Sequence, residues 1–196
     1  VAGGVLEAGA QGRALAAVAG QAAVVALRGD ADIRGGRALV RLGAASYAKP
    51  TDGAKASGFG GDRLSAHIDI APDDDRFKIR AKVDGAANGL IAGLLHRADP
   101  RAVELSIDGT GGFKLWNGHA LASWDGRRVA ALPLSARNGL YGALGAVSPP
   151  PEAPKILRSL AAERMLVNLT GRVNDRIISL SGHVASSVLA ADVDGG

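Results

Sequence analysis

The chain of 196 residues has no cysteine, one methionine and seven aromatic residues, of which two are Trp, two Tyr and three Phe. Without cysteine it has no disulfide framework, cysteine-ligated zinc, iron–sulfur cluster or thiol nucleophile. Its longest apolar stretch, residues 14–27, is half alanine and is broken by Gly20 and Gln21, so it is too short and too weakly hydrophobic to span a bilayer. The chain starts at Val1 without a signal-peptide pattern. We therefore expect an internal piece of a longer protein, with any signal or anchor outside it.

The chain also has little excess of one sign of charge over the other. The net charge is only +4, and acidic and basic residues are interleaved along the chain. A nucleic-acid-binding protein collects its basic residues on one face and often interleaves aromatic residues that stack on bases. The composition therefore predicts that the chain does not bind nucleic acid.

Catalytic and metal-binding motifs are also missing from the sequence. The four histidines, at positions 67, 96, 119 and 183, are far apart, and no two have the spacing of a metal-ligand pair. The aspartates at 73–75 lack the glycine and distal glutamate of an EF-hand. The glycine-rich segments lack the order of a phosphate-binding loop, and no nucleophile elbow is present. The sequence therefore predicts no enzyme, no cofactor and no metal site.

What is abundant is alanine and glycine, about a third of the chain, together with apolar residues at every second position. Such alternation places successive side chains on opposite faces of a strand. Strands are predicted over 64–70 and 76–84 around a turn at 72–75, over 103–108, 120–124 and 132–136, and over 165–173 and 178–184. Weaker alternation predicts strands over 6–15, 22–33, 37–46 and 138–147, although the spacing of Leu140, Leu144 and Val147 in the last segment also fits a helix. Turns are expected at 109–112 and at Asp125-Gly126, and a bulge or tight bend at 116–118.

Three further features complete the prediction. Pro133 indicates that its strand is an edge, bulged or short at that point. Short helices are predicted at 88–97 and 154–164, where leucine and isoleucine recur at helical spacing. The glycine-rich loop at 50–61 divides an N-terminal β segment, residues 1–61, from a larger region, residues 62–196.

Together these elements predict a mainly β fold, an antiparallel meander of about ten strands with one apolar face and one or two short helices. An apolar face of that size must curl on itself, pack against another sheet or bind something apolar. Alternation does not distinguish a filled sandwich or barrel core from an open interior. A β-module that binds protein through an open sheet edge is a further alternative.

Several motifs resemble a known family. The run Asn88-Gly89-Leu90-Ile91-Ala92-Gly93-Leu94-Leu95 precedes an alternating strand over 102–109 and the segment Gly112-Phe113-Lys114-Leu115-Trp116-Asn117-Gly118-His119-Ala120. This order of a Gly-Leu-Leu-type helix, a strand ending in Gly-x-Gly and a Trp-x-Gly strand before Asp-Gly is similar to the TamB family of translocation and assembly module subunits, within the AsmA-like superfamily. The later stretches 137–149, 157–169 and 178–189 resemble the next unit of that family.

The resemblance implies a long curled β-sheet, the β-taco, which forms an open groove with an apolar lining. Members of the family act in the periplasm in outer-membrane biogenesis, in phospholipid passage between the two membranes and in outer-membrane protein assembly with an Omp85-type partner. They are anchored in the inner membrane, through a segment outside the present chain, and have no active-site residues. Phospholipid acyl chains are thus the expected ligand, and alanine, valine and leucine, unlike Phe or Trp, would leave room for them.

The residues expected to line the groove are those on the apolar side of the best alternating strands: Leu64, Ile68, Ile70, Phe77, Ile79, Val83, Val103, Leu105, Ile107, Phe113, Leu115, Met165, Val167, Leu169, Ile178 and Leu180.

Overall fold

The computed structural model describes residues 5–18, 21–48, 60–94, 102–150, 153, 155–174 and 177–195. Twelve strands form one antiparallel sheet in which every strand pairs with its neighbours in the sequence. The strands are β1 (Leu6–Val18), β2 (Gln21–Arg34), β3 (Arg37–Ala48), β4 (Arg63–Ala71), β5 (Arg76–Gly85), β6 (Val103–Gly111), β7 (Leu115–Trp124), β8 (Arg127–Arg137), β9 (Leu140–Val147), β10 (Met165–Asn174), β11 (Ile177–Ala185) and β12 (Ala190–Gly195). The fold is therefore mainly β, as predicted.

The sheet is open, because among the described residues β1 pairs only with β2, and β12 only with β11. Two short helices, α1 (Leu90–Leu94) and α2 (Lys155–Ala161), follow β5 and β9. Both lie within the predicted helical segments, although residues 95–97 and 154 fall outside the described part of the chain. Ala162 ends α2 with a φ of 50°, a left-handed conformation that does not continue a helix.

The helix α1 bridges two strands that are distant within the sheet. Its residues come within 8 Å, Cα to Cα, of both β1 and β5. These two strands are four spacings apart, about 19 Å in a flat sheet. The helix therefore lies across one end of the sheet.

The turns mostly lie where glycine, aspartate and asparagine predict them. Gly35 and Gly36 join β2 to β3 with positive φ angles. Asp125 and Gly126 join β7 to β8 in the same conformation, and Asn138 and Gly139 join β8 to β9. The ambiguous segment 138–147 is a strand, β9. The sheet also runs unbroken from β3 to β4, through eight paired residues, while the proposed division near residue 61 stays a prediction.

The turn predicted at 109–112 was placed too early. β6 continues to Gly111, and the chain turns over residues 112–114. The backbone N–H of Phe113 donates to Asp75 Oδ1 at 2.8 Å, so the turn is held by a neighbouring loop. β6 and β7 pair in regular register as far as Trp116, and β7 pairs regularly with β8 from Leu115 to Ala122. Residues 116–118 therefore contain neither the predicted bulge nor a tight bend.

The irregularity lies farther along, where the β7–β8 register shifts between Ala122 and Ser123. The extra residue on β8 is Val129. Pro133 is not on an edge strand, because β8 pairs on both sides. It does interrupt the ladder, since Leu132 and Pro133 have no paired partner on β9, which is the effect expected of a residue without an N–H.

Candidate functional site

One side of the sheet is apolar across all twelve strands. Residues paired directly across an antiparallel ladder share a face, so the register connects Leu27 to Ala44, Leu64, Val83 and Leu105 in a single row. We call this side the apolar face. It carries the following side chains, among others: Leu6, Val25, Leu27, Val40, Leu42, Leu64, Ile68, Ile79, Val83, Leu105, Ile107, Trp116, Leu132, Leu134, Tyr141, Val147, Met165, Val167, Leu169, Leu180 and Val184.

The opposite side, the polar face, carries almost all of the charge. Every Asp, Glu, Lys or Arg paired in the described ladders faces that way, with one exception. The exception is Arg127, which closes the β7–β8 hairpin opposite Trp124. The separation of apolar and charged side chains is thus maintained over a sheet about 50 Å wide in the pairing direction.

The apolar face stays open to solvent. Leu27, Leu64 and Leu105 are 49%, 41% and 43% exposed, and no large side chain of the described residues is fully buried. A filled sandwich or barrel would bury these residues almost completely. The described chain is therefore not a closed core, and it exposes more contiguous apolar surface than a monomeric soluble protein ordinarily does.

Most of the predicted lining residues share this face. Thirteen have their side chains on it: Leu64, Ile68, Ile70, Phe77, Ile79, Val83, Val103, Leu105, Ile107, Met165, Val167, Leu169 and Leu180. Ile178 occupies an equivalent backbone position opposite Val173. Phe113 lies in the β6–β7 turn, with its ring 6.0 Å from that of Phe77.

Leu115 was assigned to the wrong face. It pairs with Arg137 and belongs to the polar face, whereas Trp116 pairs with Gly111 and belongs to the apolar one. The chain changes phase in the 112–114 turn, so counting every second residue from Phe113 gives the wrong parity. The signal that identifies Trp116 is the alternation beyond it, through Gly118, Ala120 and Ala122.

Large side chains on the apolar face lean over glycines of the adjacent strands. A Cβ on Gly29 would lie 3.1 Å from Leu42, and one on Gly182 would lie 2.5 Å from Leu169. The largest case is Trp116, whose indole ring covers the positions that side chains at Gly109 and Gly118 would occupy. Glycine here serves to admit a neighbouring side chain, which leaves a shallower, smoother apolar surface.

Aromatic residues collect at one end of the apolar face. The ring of Phe77 lies 6.0 Å from Phe113 and 6.2 Å from Trp116. The predicted lining residues Phe77 and Phe113 therefore pack together with Trp116 at this end. Elsewhere the face is mainly aliphatic and small, apart from Tyr141 and Trp124.

The other end of the face is covered by α1. Ile91 packs against Gly85, and Ala23, Val103 and Ala92 are buried there. The helix α2 lies at the same end of the strands, between β9 and β10. Ser186 Oγ donates a 2.5 Å hydrogen bond to the carbonyl oxygen of Leu160, which connects α2 to the β11–β12 loop.

Asp62 holds α1 in place. Its carboxylate accepts hydrogen bonds from Ser46 Oγ at 2.8 Å, from the N–H of Ala86 at 3.0 Å and from the N–H of Leu90 at 2.5 Å. The end of β3, the start of β4, the end of β5 and the first turn of α1 therefore meet at one side chain. The sequence did not identify it, because the acceptor for the N-terminus of α1 lies 28 residues upstream.

The chain matches no known family model, curated protein or solved structure.

Within the described ranges, no three His, Asp or Glu side chains are grouped to hold a metal ion. Over the same residues, no helix has the length and apolarity needed to cross a membrane.

The polar face is crossed by ion pairs between neighbouring strands. Arg37 binds Asp69 through two hydrogen bonds of 2.8 and 2.6 Å, and Arg80 binds Asp108 at 2.7 Å. The hydrogen bonds from Arg37 hold the pKa of Asp69 below its ordinary value, and the bond from Arg80 does the same for the pKa of Asp108. Partial burial opposes both shifts without reversing them.

These shifts predict a loss of stability in acid. A carboxyl whose pKa is lowered by folding stabilises the fold above its unfolded pKa, and this contribution disappears as the pH falls through the folded value. Urea unfolding should therefore show Asp69→Asn less stable than the wild type at pH 7, by at most about 1 kcal/mol for this partly exposed pair. The difference should vanish between about pH 4 and pH 2.

Asp194→Asn is the matched control, because Asp194 is an exposed strand residue of the polar face that forms no ion pair with any described residue. It should change stability by less than about 0.5 kcal/mol at either pH. If the free energies of unfolding of Asp69→Asn and the wild type differ by the same amount from pH 7 to pH 2, the effect does not come from the ionised Asp69 carboxylate.

Proposed function

We propose that the apolar face binds phospholipid acyl chains, as one stretch of a periplasmic groove that acts in outer-membrane biogenesis. The observation that carries the proposal is the open apolar face, which is continuous over twelve strands while its leucines remain about half exposed. Such a surface is stabilised by an apolar occupant, and an acyl chain contributes about 0.8 kcal/mol for each methylene that it buries.

The chemistry of the face favours passage over tight capture. Hydrophobic attraction is non-directional, and the described ladders place no charge on this side except Arg127 at its margin. An acyl chain would therefore meet similar surroundings in successive positions along the face. The glycines beneath Leu42, Leu169 and Trp116 remove protrusions that would interrupt such movement.

The similarity of the 88–95 and 112–120 motifs to the TamB family supplies the cellular setting of the proposal. In that setting the groove continues into neighbouring parts of a longer protein, which is anchored in the inner membrane and meets an Omp85-type partner in the outer membrane. Both contacts lie outside this chain. The open edges of β1 and β12 are suited to such continuation, because an unpaired strand offers its N–H and C=O groups to another strand.

Lipid photocrosslinking tests the proposal. Leu105→Arg places a charge in the middle of the apolar face, where β5 and β7 flank it. We expect crosslinking to phosphatidylethanolamine with a photoactivatable acyl chain to fall at least about fivefold, since burying an unpaired charge against methylenes is costly. Circular dichroism should still show the β-sheet of the wild type.

Asn117→Arg is the control, with the same added charge on the polar face between Thr110 and Ser135. Its crosslinking should stay within about twofold of the wild type. Equal crosslinking by Leu105→Arg and the wild type would sink the proposal, and so would equal losses in both variants.

A further inference from the structure

A second candidate site lies on the polar face, on the side of the sheet away from the proposed lipid surface. A hollow of about 670 Å³ extends over β1 to β5. Its floor is made by small residues, Ala26, Gly43 and Ala45. The surrounding side chains, among them Arg13, Arg28 and Arg63, are long, whereas those of the floor are small. The surface of the sheet is therefore depressed here.

Three arginines surround this floor. Arg13 and Arg63 stand at the two ends of one cross-strand row, with Ala26 and Ala45 between them. Their backbones are three strand spacings apart, about 14 Å. Arg28 belongs to the adjacent row, opposite Gly43. Arginine side chains are long enough to reach over the alanines from these three positions.

These arginines differ from the others on the same strands. Arg34, Arg37, Arg41, Arg76 and Arg80, the other five arginines of β2 to β5, each contact a carboxylate. Arg13, Arg28 and Arg63 have no ion pair or side-chain hydrogen bond with any residue that the structure describes.

The acidic residue that borders the hollow does not neutralise it. Asp84 lies at its margin, opposite Arg63. Its carboxylate is 2.6 Å from Lys82 Nζ, so this acid is already matched by a base. The hollow therefore keeps three uncompensated positive charges.

We propose that this hollow binds a phosphate-bearing anion. A phosphate group presents several oxygens and up to two negative charges, so it accepts hydrogen bonds from guanidinium groups that approach from different sides. A lone carboxylate is matched by one or two arginines. The volume also exceeds that of a bare phosphate ion, which favours a phosphate that carries an organic group, as in glycerol phosphate or a phospholipid headgroup. This site is independent of acyl-chain binding on the apolar face.

The test compares two probes on the whole chain. Calorimetric titration with glycerol 3-phosphate reports a soluble phosphate, and flotation with phosphatidylcholine vesicles, with and without phosphatidylglycerol, reports a headgroup. The variant Arg13→Gln/Arg28→Gln/Arg63→Gln should weaken binding at least about tenfold, because hydrogen bonds to charged groups are among the stronger ones. Ala45→Phe, which fills the floor without changing the charge, should weaken it similarly.

The charge-matched control is Arg128→Gln/Arg137→Gln/Arg172→Gln, which removes three exposed arginines from the same face of β8 and β10. Its binding of glycerol 3-phosphate or of vesicles should fall by less than about twofold. Hollow-dependent binding of glycerol 3-phosphate identifies a soluble ligand, and hollow-dependent flotation only with phosphatidylglycerol identifies a headgroup; both support the site. The site is refuted if neither probe binds or if both triple variants lose binding equally. Acyl-chain crosslinking is measured separately on Leu105→Arg, so either proposal can fail alone.

Discussion

Replacing Asp62 with alanine should lower the free energy of unfolding by about 3–5 kcal/mol. The residue is only 8% exposed, so little water can replace the carboxylate that accepts from Ser46, Ala86 and Leu90. Three donors would lose their partner at the junction of β3, β4, β5 and α1. Urea denaturation followed by circular dichroism measures the effect. Limited proteolysis should also cleave near α1 faster than in the wild type, since the helix would lose its anchor.

Two further substitutions test whether the loss of stability in Asp62→Ala comes from the missing carboxylate. Asp74→Ala removes an exposed aspartate from the β4–β5 turn and should change stability by less than about 0.5 kcal/mol. Asp62→Asn keeps one acceptor oxygen but turns an NH₂ group toward backbone donors, so it should fall between the wild type and Asp62→Ala. An Asp62→Ala protein as stable as Asp74→Ala would show that Asp62 does not hold the junction.

The second large effect is expected at Gly109. A Cβ at this position would fall within the indole ring of Trp116, and overpacking of this kind typically costs about 1–3 kcal/mol. We expect Gly109→Ala to lie at the upper end of that range. In a Trp116→Ala background the same substitution should cost less than about 0.5 kcal/mol, because the ring is the group it meets. A double-mutant cycle, measured by urea unfolding, gives the coupling between the two positions.

Gly118 and Gly12 are the comparisons for this cycle. A Cβ on Gly118 would lie 2.6 Å from the Asp108 carbonyl oxygen as well as 2.6 Å from the Trp116 ring. Gly118→Ala should therefore stay costly in both backgrounds, since the backbone cannot move aside as a side chain can. Gly12, on the same face of β1, has no atom within 4 Å of its Cβ position, so Gly12→Ala should be neutral or slightly stabilising. If Gly109→Ala costs the same with and without Trp116, the ring does not occupy the glycine.

The alternating segments could be predicted from sequence because strand periodicity is a local property. The pattern around Ile68 and Ile79 predicted β4, β5 and their shared apolar face, and the register confirms both. The prediction failed where phase depends on a turn. Leu115 and Trp116 are adjacent, and which of them faces the apolar side depends on the turn at 112–114, where Asp75, on a different loop, accepts a hydrogen bond from the N–H of Phe113.

The candidate sites also include one that local periodicity predicts and others that depend on residues distant in the sequence. Most of the apolar face could be read from hydrophobic periodicity alone. Asp62 and the arginine-lined hollow could not, because each joins residues that are distant in the sequence. Arg13 and Arg63 are 50 positions apart, and only the pairing of β1 with β2, β2 with β3 and β3 with β4 places them in one row.

Alternating polarity in a chain with no cysteine, few aromatic residues and many small residues was enough to determine an antiparallel meander with one apolar side. Whether that side is filled or open was decided only by the tertiary structure. Period two specifies which way a side chain points, but not what covers it, since coverage depends on whether distant strands fold back over the face. Here the strands continue side by side in a single open sheet. Of the leucines and isoleucines that alternation assigned to the apolar face, Leu64, Leu105, Ile107 and Leu180 remain 41%, 43%, 38% and 44% exposed.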